Sequence, residues 1–225
     1  MAVCVIPARG GSKRIPRKNI LSFHGTPMIG WSIAAARDCG LFDRVVVSTD
    51  DAEISDIARD LGAEVPFLRP DNLANDHAGT VPVITHAVEA LALDDDVAVC
   101  CLYATAPFVR AADLAEGLRL LQAGASYAMA VTRYDYPIQR ALRRGEDGAV
   151  SMIDPAQMQV RSQDLEPAWH DAGQFYWGRA ATWASQLPVF DRRAHGVGLP
   201  SSRVVDIDTP EDWERAEALF QVLQR

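Results

Sequence analysis

Short apolar runs alternate with amphipathic segments over the first 132 residues of the chain. Apolar runs bounded by turn-forming residues are typical of buried strands, and apolar residues spaced three and four apart are typical of helices on a core. The pattern predicts strands at 3–8, 45–49, 65–68, 97–103 and 127–132. It predicts helices at 27–38, 54–61 and 80–93, a helix with Leu114, Leu118 and Leu121 on its core face, and a last helix from Pro210 with Trp213, Ala216, Leu219, Phe220 and Leu223 on its core face.

The predicted strands are apolar at consecutive positions, which is typical of strands buried on both faces of a sheet. Such a sheet is covered by helices on each side, and strands that alternate with helices through right-handed crossovers run mostly parallel. We therefore predict an α/β fold with a Rossmann-like, doubly wound, mostly parallel sheet. A chain of 225 residues is long enough for one such core and short for two, so we expect a single domain over 1–225.

The alternation breaks down between residues 133 and 166, where the chain is polar and rich in turn residues. The regular pattern resumes in the apolar run that starts at Gly173. We predict that 133–172 is an inserted arm that projects from the sheet. Two alternatives stay open for this arm: it is disordered, or it is buried against a second subunit.

Composition and charge argue against nucleic acids and membranes as partners of this chain. The formal net charge is −8, whereas nucleic-acid-binding proteins need a basic surface, so no nucleic-acid partner is expected. Neither a bilayer-spanning apolar run nor an export leader is apparent, so no membrane association is expected. The four cysteines, Cys4, Cys39, Cys100 and Cys101, form no C-x-x-C pair, and we expect core thiols in a cytoplasmic protein.

The loop after the first predicted strand carries the strongest functional signal. Ligands of open α/β sheets bind beyond the carboxyl ends of the strands, where this loop lies. Gly10 and Gly11 let the backbone approach a ligand and point its amides at an anion. Five cations follow within ten residues, namely Arg9, Lys13, Arg14, Arg17 and Lys18. The combination indicates a polyphosphate cradle, the alternative being a solvated basic turn. Its spacing fits neither a Walker A loop nor a dinucleotide fingerprint.

A pair of aspartates near the C-terminus is the second signal. If 204–208 is extended, Asp206 and Asp208 share one face, with Ile207 packed behind them. Two carboxylates spaced in this way suit a hard cation such as Mg²⁺. The alternative is that Asp208 helps Thr209 to cap the last helix and that Asp206 is solvated.

A third acidic position lies at the end of the second predicted strand. Asp50 precedes a predicted helix, and we favour a capping role for it over contact with a ligand.

The first loop resembles the signature of the CMP-sugar synthetases, a family that includes the N-acylneuraminate and 3-deoxy-manno-octulosonate cytidylyltransferases. Related patterns occur at Asp50-Asp51, Arg69-Pro70, Thr105-Ala106-Pro107 and Asp206-Ile207-Asp208, so the resemblance covers nearly the whole chain. The stretches 101–108, 134–141, 161–165 and 170–177 most resemble the branch of the family that uses pseudaminic acid. Tyr103 stands where the sialic acid branch usually has a glutamine that helps hold the sugar, which argues against N-acetylneuraminate.

The resemblance implies a role for each matching residue. Implied nucleotide-binding residues are Ala8, Arg9, Gly10, Gly11, Ser12, Lys18, Asn19, Arg69 and Thr80. Implied sugar-binding residues are Tyr103, Thr105, Gln139, Arg140, Arg161, Gln163, Asp171 and Gln174. Asp206 and Asp208 match the ligands of Mg²⁺ and, with Arg9 and Lys18, form the implied catalytic set.

The implied reaction joins CTP to an acidic nine-carbon sugar by in-line attack of the anomeric hydroxyl on the α-phosphate, with release of pyrophosphate. In the family the arm packs across a homodimer and completes the partner's site.

Three alternative functions stay open. The first is the same reaction on legionaminic acid or N-acetylneuraminic acid, and the second is a nucleotide-binding module without catalysis. The third is an NAD-dependent oxidoreductase, whose glycine spacing is missing here. Zinc-ligand spacings are also missing from the sequence.

Overall fold

The structure is a computed structural model that describes residues 1–223. Its strands are β1 (Ala2–Pro7), β2 (Ser22–Phe23), β3 (Thr26–Pro27), β4 (Arg44–Ser48), β5 (Ala98–Leu102), β6 (Tyr127–Arg133), β7 (Leu142–Arg144), β8 (Val150–Met152), β9 (Trp169–Arg179) and β10 (His195–Leu199). Its α-helices are α1 (Met28–Asp38), α2 (Ala52–Asp60), α3 (Thr80–Ala90), α4 (Ala111–Gln122), α5 (Ala180–Ala184) and α6 (Pro210–Leu223). All the predicted helices are present, within a few residues of their predicted ends.

Six strands form the central sheet in the order β10-β6-β9-β5-β1-β4. β1 pairs in parallel with β4 and β5, and β10 pairs in parallel with β6, whereas β9 runs antiparallel between β5 and β6. The sheet is therefore mixed and mostly parallel, which confirms the predicted fold class. It also places the carboxyl ends of β1, β4 and β5 side by side at one edge.

The strand predicted at 65–68 does not form. This part of the chain contributes an isolated bridge between Val46 and Glu64 and then leaves the sheet. Pro66 has no amide hydrogen to donate to a ladder, so the apolar run cannot continue the pairing. The prediction was wrong because the hydrophobicity of a segment does not show whether its backbone can donate to a ladder.

Helices cover both faces of the sheet. Along β1, Cys4 and Ile6 face one side and pack in a core that includes residues of α1, α2 and α4. Val3 and Val5 face the other side and pack in a core that includes residues of α3 and α5. Burial of β1 on both faces explains its uninterrupted apolar sequence. Three of the four cysteines are buried in these cores, as predicted.

A third apolar cluster joins α6 to the loop after β1. Trp213 and Phe220 of α6 pack with Phe23 and Ile207. The segment 204–208 has no ladder pairing, yet Val205 and Ile207 are buried while Asp206 is exposed and Asp208 half-buried. This alternation brings the acidic segment beside the basic loop without making it a strand.

The predicted arm overlaps the sheet at both ends. β6 extends through Arg133 and β9 begins at Trp169, so the irregular segment is 134–168. It contains the β7–β8 hairpin and short 3₁₀ turns. Its exposed apolar side chains are Tyr134, Tyr136, Ile138, Leu142, Val150, Ile153 and Met158. Among residues 1–223, no helix has the length and hydrophobicity needed to cross a bilayer.

Candidate active site

The loop after β1 is fastened to its neighbours through its backbone. The Ala8 amide donates to the carbonyl of Ser48 at 2.9 Å, and the Gly10 amide donates to Asp50 Oδ1 at 3.0 Å. Asn19 Nδ2 donates to the carbonyl of Arg9 at 3.0 Å, which ties the two ends of the loop together. These bonds fix the loop at the carboxyl end of the sheet, where a ligand approaches it.

Asp50 does not cap the helix that follows it, so that prediction was wrong. Asp51, the next residue, is the N-cap of α2, and its Oδ1 accepts from the Ile54 amide at 3.0 Å. Asp50 instead holds the Gly10 amide. The sequence could not separate the two, because adjacent aspartates at a helix start are both good caps.

Four of the five loop cations face a common cleft. Arg9 Nη1 lies 2.7 Å from Asp76 Oδ1, and Lys13 Nζ lies 2.5 Å from Asp76 Oδ2. On the opposite wall, Arg14 Nη2 lies 2.7 Å from Asp208 Oδ2, and Lys18 Nζ lies 3.1 Å from Asp208 Oδ1. The basic loop and the acidic segment are therefore in direct contact, as a shared site requires.

Arg17 is the exception among the loop cations. Its guanidinium turns away and binds Asp51 and Glu53, each at 2.5 Å. The hydrogen bond from Arg17 lowers the pKa of the Asp51 carboxyl and so keeps it ionised as a helix cap. Arg17 therefore stabilises the start of α2. It does not face the basic cleft with the other loop cations, so its predicted place in a phosphate cradle was wrong.

The cleft that these residues surround has a volume of about 580 Å³. This lies within the range typical of small-molecule sites, about 300–1,000 Å³. We call it the basic cleft. Of the predicted site residues, it is lined by Arg9, Ser12, Lys18, Asn19, Arg69, Thr80, Tyr103, Thr105 and Asp208. Ala8, Gly10 and Gly11 belong to the same loop but are not among the residues that line the cleft.

Sequence reasoning missed one wall of the basic cleft. Asn75 and Asp76 line it from the polar segment between a 3₁₀ turn and α3. Asp76 pairs with both Arg9 and Lys13, which lower the pKa of its carboxyl. Nothing in the residue pattern marked Asp76, because an Asn-Asp-His-Ala-Gly stretch reads as an ordinary loop.

Arg69 forms a buried part of the cleft wall. Only 6% of it is exposed, and its Nε donates to Ser48 Oγ at 3.1 Å while Nη2 donates to the Ser48 carbonyl. Burial lowers its pKa to about 10. A pKa of that size leaves the guanidinium charged at neutral pH, so Arg69 supplies a fixed positive charge beside the carboxyl end of β4.

The structure has a second cavity, of about 520 Å³. Because it is lined by Asp135, Asp171, Asp206 and Asp212, we call it the acidic cavity. Asp206 thus faces the acidic cavity while Asp208 faces the basic cleft. The two aspartates of the acidic segment therefore line different cavities.

The electrostatics of Asp206 would suit a bound cation. Desolvation raises the pKa of its carboxyl, the negative charge of Asp208 raises it further, and Lys18 opposes both. Because the pKa is higher in the folded chain than in the unfolded one, the contribution of Asp206 to stability falls as pH rises from the ordinary range of an aspartate up to this raised pKa. Within residues 1–223, no group of three or more His, Cys, Asp or Glu side chains could hold a metal. Two carboxylates suffice for Mg²⁺, which proteins commonly bind through one or two carboxylates plus substrate phosphates.

The predicted sugar-binding residues are divided among four places, the last of which is the arm. Tyr103 and Thr105 line the basic cleft, and Asp171 lines the acidic cavity. Gln174 lies elsewhere, because it is 3% exposed and its Nε2 donates to the Arg203 carbonyl at 2.9 Å. The structure therefore gives Gln174 a contact that holds the chain just before the acidic segment.

The arm residues make their polar contacts inside the arm. Gln139 Nε2 donates to the Glu166 carbonyl at 2.9 Å, and Arg140 Nη2 donates to the Val160 carbonyl at 2.5 Å. Arg161 Nε pairs with Asp164 at 2.9 Å, and Gln163 is exposed. The described chain does not bring these four side chains into its own basic cleft or acidic cavity.

Comparison with known proteins decides the family. The model of a cytidylyltransferase family matches residues 3–223 of the chain. The chain belongs to this cytidylyltransferase family. This cytidylyltransferase is 44% identical to the pseudaminic acid cytidylyltransferase of Campylobacter jejuni over 223 residues, which is 98% of this chain and 96% of the relative. It is 29% identical to the CMP-N,N'-diacetyllegionaminic acid synthase of Legionella pneumophila, over 99% of this chain and 97% of the relative.

A solved structure supports the fold of the cytidylyltransferase. The structure of a CMP:2-keto-3-deoxy-manno-octonic acid synthetase complexed with CTP matches it with a TM-score of 0.72. The match covers 99% of each chain at 20% identity. At that identity the likeness establishes the shared fold.

Proposed function

We propose that this cytidylyltransferase joins CTP to pseudaminic acid and gives CMP-pseudaminic acid and pyrophosphate. The observation that carries the proposal is the 44% identity, over 98% of the chain, to a relative named for this reaction. The likeness to the legionaminic acid enzyme is 29% over a similar length, so the same reaction on that sugar is the second candidate.

The basic cleft is the proposed CTP site. Arg9, Lys13 and Lys18 supply positive charge for a triphosphate, and the backbone amides of the loop add further donors. In the structure these cations pair with Asp76 and Asp208. Because these pairs are partly exposed, they are weak, and phosphate oxygens can replace them as partners at modest cost.

The proposed chemistry needs no covalent intermediate on the protein. The anomeric oxygen of the sugar forms a bond to the α-phosphorus, the bond from that phosphorus to the bridging oxygen breaks, and pyrophosphate leaves with that oxygen. The hydroxyl proton passes to solvent. The loop cations orient the triphosphate for in-line attack and stabilise charge on the transferring group. Asp206 and Asp208 are the residues that would hold Mg²⁺, which supplies charge neutralisation at the phosphates.

A panel of acidic sugars tests the proposed substrate. With CTP and Mg²⁺, we expect pyrophosphate release to be fastest with pseudaminic acid, measured as kcat/KM against legionaminic acid and N-acetylneuraminic acid. A higher kcat/KM for one of the other sugars would transfer the assignment to it. Nucleotide binding without turnover on any sugar would favour a non-catalytic module.

We further propose that 133–172 is a dimerisation arm whose Arg140, Arg161, Gln139 and Gln163 complete the site of a second copy. Two observations support this proposal. The arm exposes an unusual number of large apolar side chains, among them Tyr136 at 85% and Val150 at 63% exposure. Its polar residues Gln139, Arg140 and Arg161 make their contacts inside the arm and not in the basic cleft of their own chain.

Complementation tests the arm directly. Arg161→Ala removes a side chain that the arm is proposed to supply to the partner's site. Asp208→Asn removes a charge that the acidic segment supplies to its own site. We expect each purified variant to be nearly inactive. Random exchange of subunits between the two gives heterodimers with one intact site, so the mixture should regain about a quarter of wild-type activity. A monomeric mass in light scattering, or a mixture no more active than its parts, would contradict the shared site.

A further inference from the structure

Arg203 is the last residue before the acidic segment 204–208, and it is 7% exposed. Its Nη1 donates to Asp113 Oδ2 at 2.6 Å and its Nη2 donates to Asp113 Oδ1 at 3.0 Å, which is a bidentate ion pair. Nη1 also lies 3.4 Å from the carbonyl oxygen of Phe108. The residue that starts the acidic segment is therefore fixed to a carboxylate 90 residues away in the sequence.

The carboxylate that binds Arg203 is itself held in place. Asp113 lies in the first turn of α4, and its Oδ2 also accepts from the Arg110 amide at 3.2 Å. The helix packs on the core of the sheet through Leu114 and Leu121, which are fully buried. Asp113 therefore belongs to the rigid frame of the molecule, and the ion pair holds Arg203 against that frame.

The backbone of Arg203 is held from β9. Gln174 is 3% exposed, and its Nε2 donates to the Arg203 carbonyl at 2.9 Å. The carbonyl of Gln174 accepts from the Tyr103 amide at 2.9 Å, which continues the pairing of β9 with β5. We call Asp113, Gln174 and Arg203 the buried clamp. It ties the start of the acidic segment to the sheet and to α4.

The acidic segment depends on such contacts because the sheet does not hold it. No strand pairs with 204–208 in the part of the chain that the structure describes. At the far end of the segment, Lys18 Nζ donates to the Ile207 carbonyl at 2.5 Å and the Asp208 amide donates to Asp212 at 3.2 Å. The proposed cation ligands therefore lie between two anchored ends, of which the buried clamp is the first.

We propose that Arg203, held by Asp113 and Gln174, is a positioning residue that sets the two carboxylates of the acidic segment for the divalent cation. The proposal rests on the proposed function, since it takes Asp206 and Asp208 as the ligands of Mg²⁺. An arginine suits this place because its planar fork fixes both distance and angle, whereas a lysine supplies a point charge on a flexible stem. Replacing a residue that orients metal ligands typically costs about 10- to 100-fold in metal affinity or activity.

Two variants test the buried clamp. Arg203→Lys keeps the charge opposite Asp113 and removes the fork, and Gln174→Met removes the donor to the Arg203 carbonyl. With CTP present, we expect the Mn²⁺ dissociation constant from electron paramagnetic resonance to rise about 10-fold or more in Arg203→Lys. A smaller rise is expected in Gln174→Met, which leaves the ion pair intact. CTP binding in calorimetry without metal should stay at the wild-type value, because neither residue lines the basic cleft.

Hydrogen exchange tests the positioning without any ligand. In both clamp variants the amides of 205–208 should exchange faster than in the wild-type protein, whereas the amides of β1 and β5 should exchange at the wild-type rate. A general loss of stability would speed exchange in these central strands as well.

Each clamp variant has a matched control. Arg119→Lys makes the same change on the exposed face of α4, where Arg119 binds Glu116 through two nitrogens, each at 2.7 Å. Tyr127→Phe removes a buried donor of the same sheet, whose hydroxyl donates to the Leu187 carbonyl at 2.9 Å. Both controls should bind Mn²⁺ like the wild-type protein.

Wild-type Mn²⁺ affinity in both clamp variants, or an equal loss in the two controls, would overturn the proposal. A rise in the KM of Gln174→Met for the sugar, with unchanged Mn²⁺ affinity, would also overturn it, since Gln174 would then be a sugar ligand. If Arg203→Lys does not fold, Gln174→Met decides. Failure of the proposed function is distinguishable, because the wild-type protein would then bind no Mn²⁺ with CTP, while hydrogen exchange would still report whether the buried clamp holds the acidic segment.

Discussion

Asp208→Asn is expected to lower kcat for pyrophosphate release by about 100-fold or more, the usual loss when one preorganised electrostatic contact is removed from a transition state. Asp208 is the point where the two halves of the site meet, because its two oxygens bind Arg14 and Lys18 at 2.7 and 3.1 Å. The amide keeps the shape of the side chain and removes its charge. The proposed cation would then keep Asp206 as its remaining protein ligand.

The metal assignment is checked by a second measurement on the same variant. Mn²⁺ binding followed by electron paramagnetic resonance, with CTP present, should weaken in Asp208→Asn while the melting temperature stays close to that of the wild-type protein. Arg14→Gln is the matched control, since it removes the exposed partner of Asp208 and leaves the carboxylate in place. Unchanged activity and Mg²⁺ dependence in Asp208→Asn would show that the metal ligands lie elsewhere.

Asp113→Ala is expected to reduce the free energy of unfolding by about 3–5 kcal/mol, the typical cost of leaving one member of a buried ion pair without its partner. Arg203 binds Asp113 through both terminal nitrogens, at 2.6 and 3.0 Å. Their side chains are 8% and 12% exposed. The Arg203 guanidinium cannot reach water without disturbing the chain just before the acidic segment.

A pair on the same helix provides the control for this stability change. Glu116 binds Arg119 three residues away on the exposed face of α4, and exposed pairs of this kind contribute little. Urea denaturation should therefore show a large shift for Asp113→Ala and almost none for Glu116→Ala. Equal shifts in the two variants would mean that the buried pair contributes no more to the free energy of unfolding than the exposed pair does.

The fold was predictable because most helices and strands have a signal in their own residues. Residues 3–8 are apolar at every position because β1 is covered on both faces, and Gly40 and Gly62 follow the ends of α1 and α2 with φ of +69° and +85°. Such signals need no knowledge of the rest of the chain. The strand predicted at 65–68 does not form, because pairing with a neighbouring strand depends on a backbone donor that Pro66 lacks.

The candidate site was predictable in part. Charge density and glycines marked the first loop, and period-two spacing marked Asp206 and Asp208. The partner of each cation was not predictable, because Arg17 pairs with Asp51 and Arg9 pairs with Asp76 only after folding. A contact between residues far apart in the chain has no local signature in a single sequence.

The central claim is that the basic cleft transfers the cytidylyl group of CTP to an acidic sugar. Phosphorus NMR of a reaction with CTP, Mg²⁺ and pseudaminic acid tests it most directly. We expect one new phosphodiester signal, from CMP linked to the sugar, that grows in step with free pyrophosphate. Intact CTP alongside folded, CTP-bound protein, or release of orthophosphate and CDP instead, would contradict it.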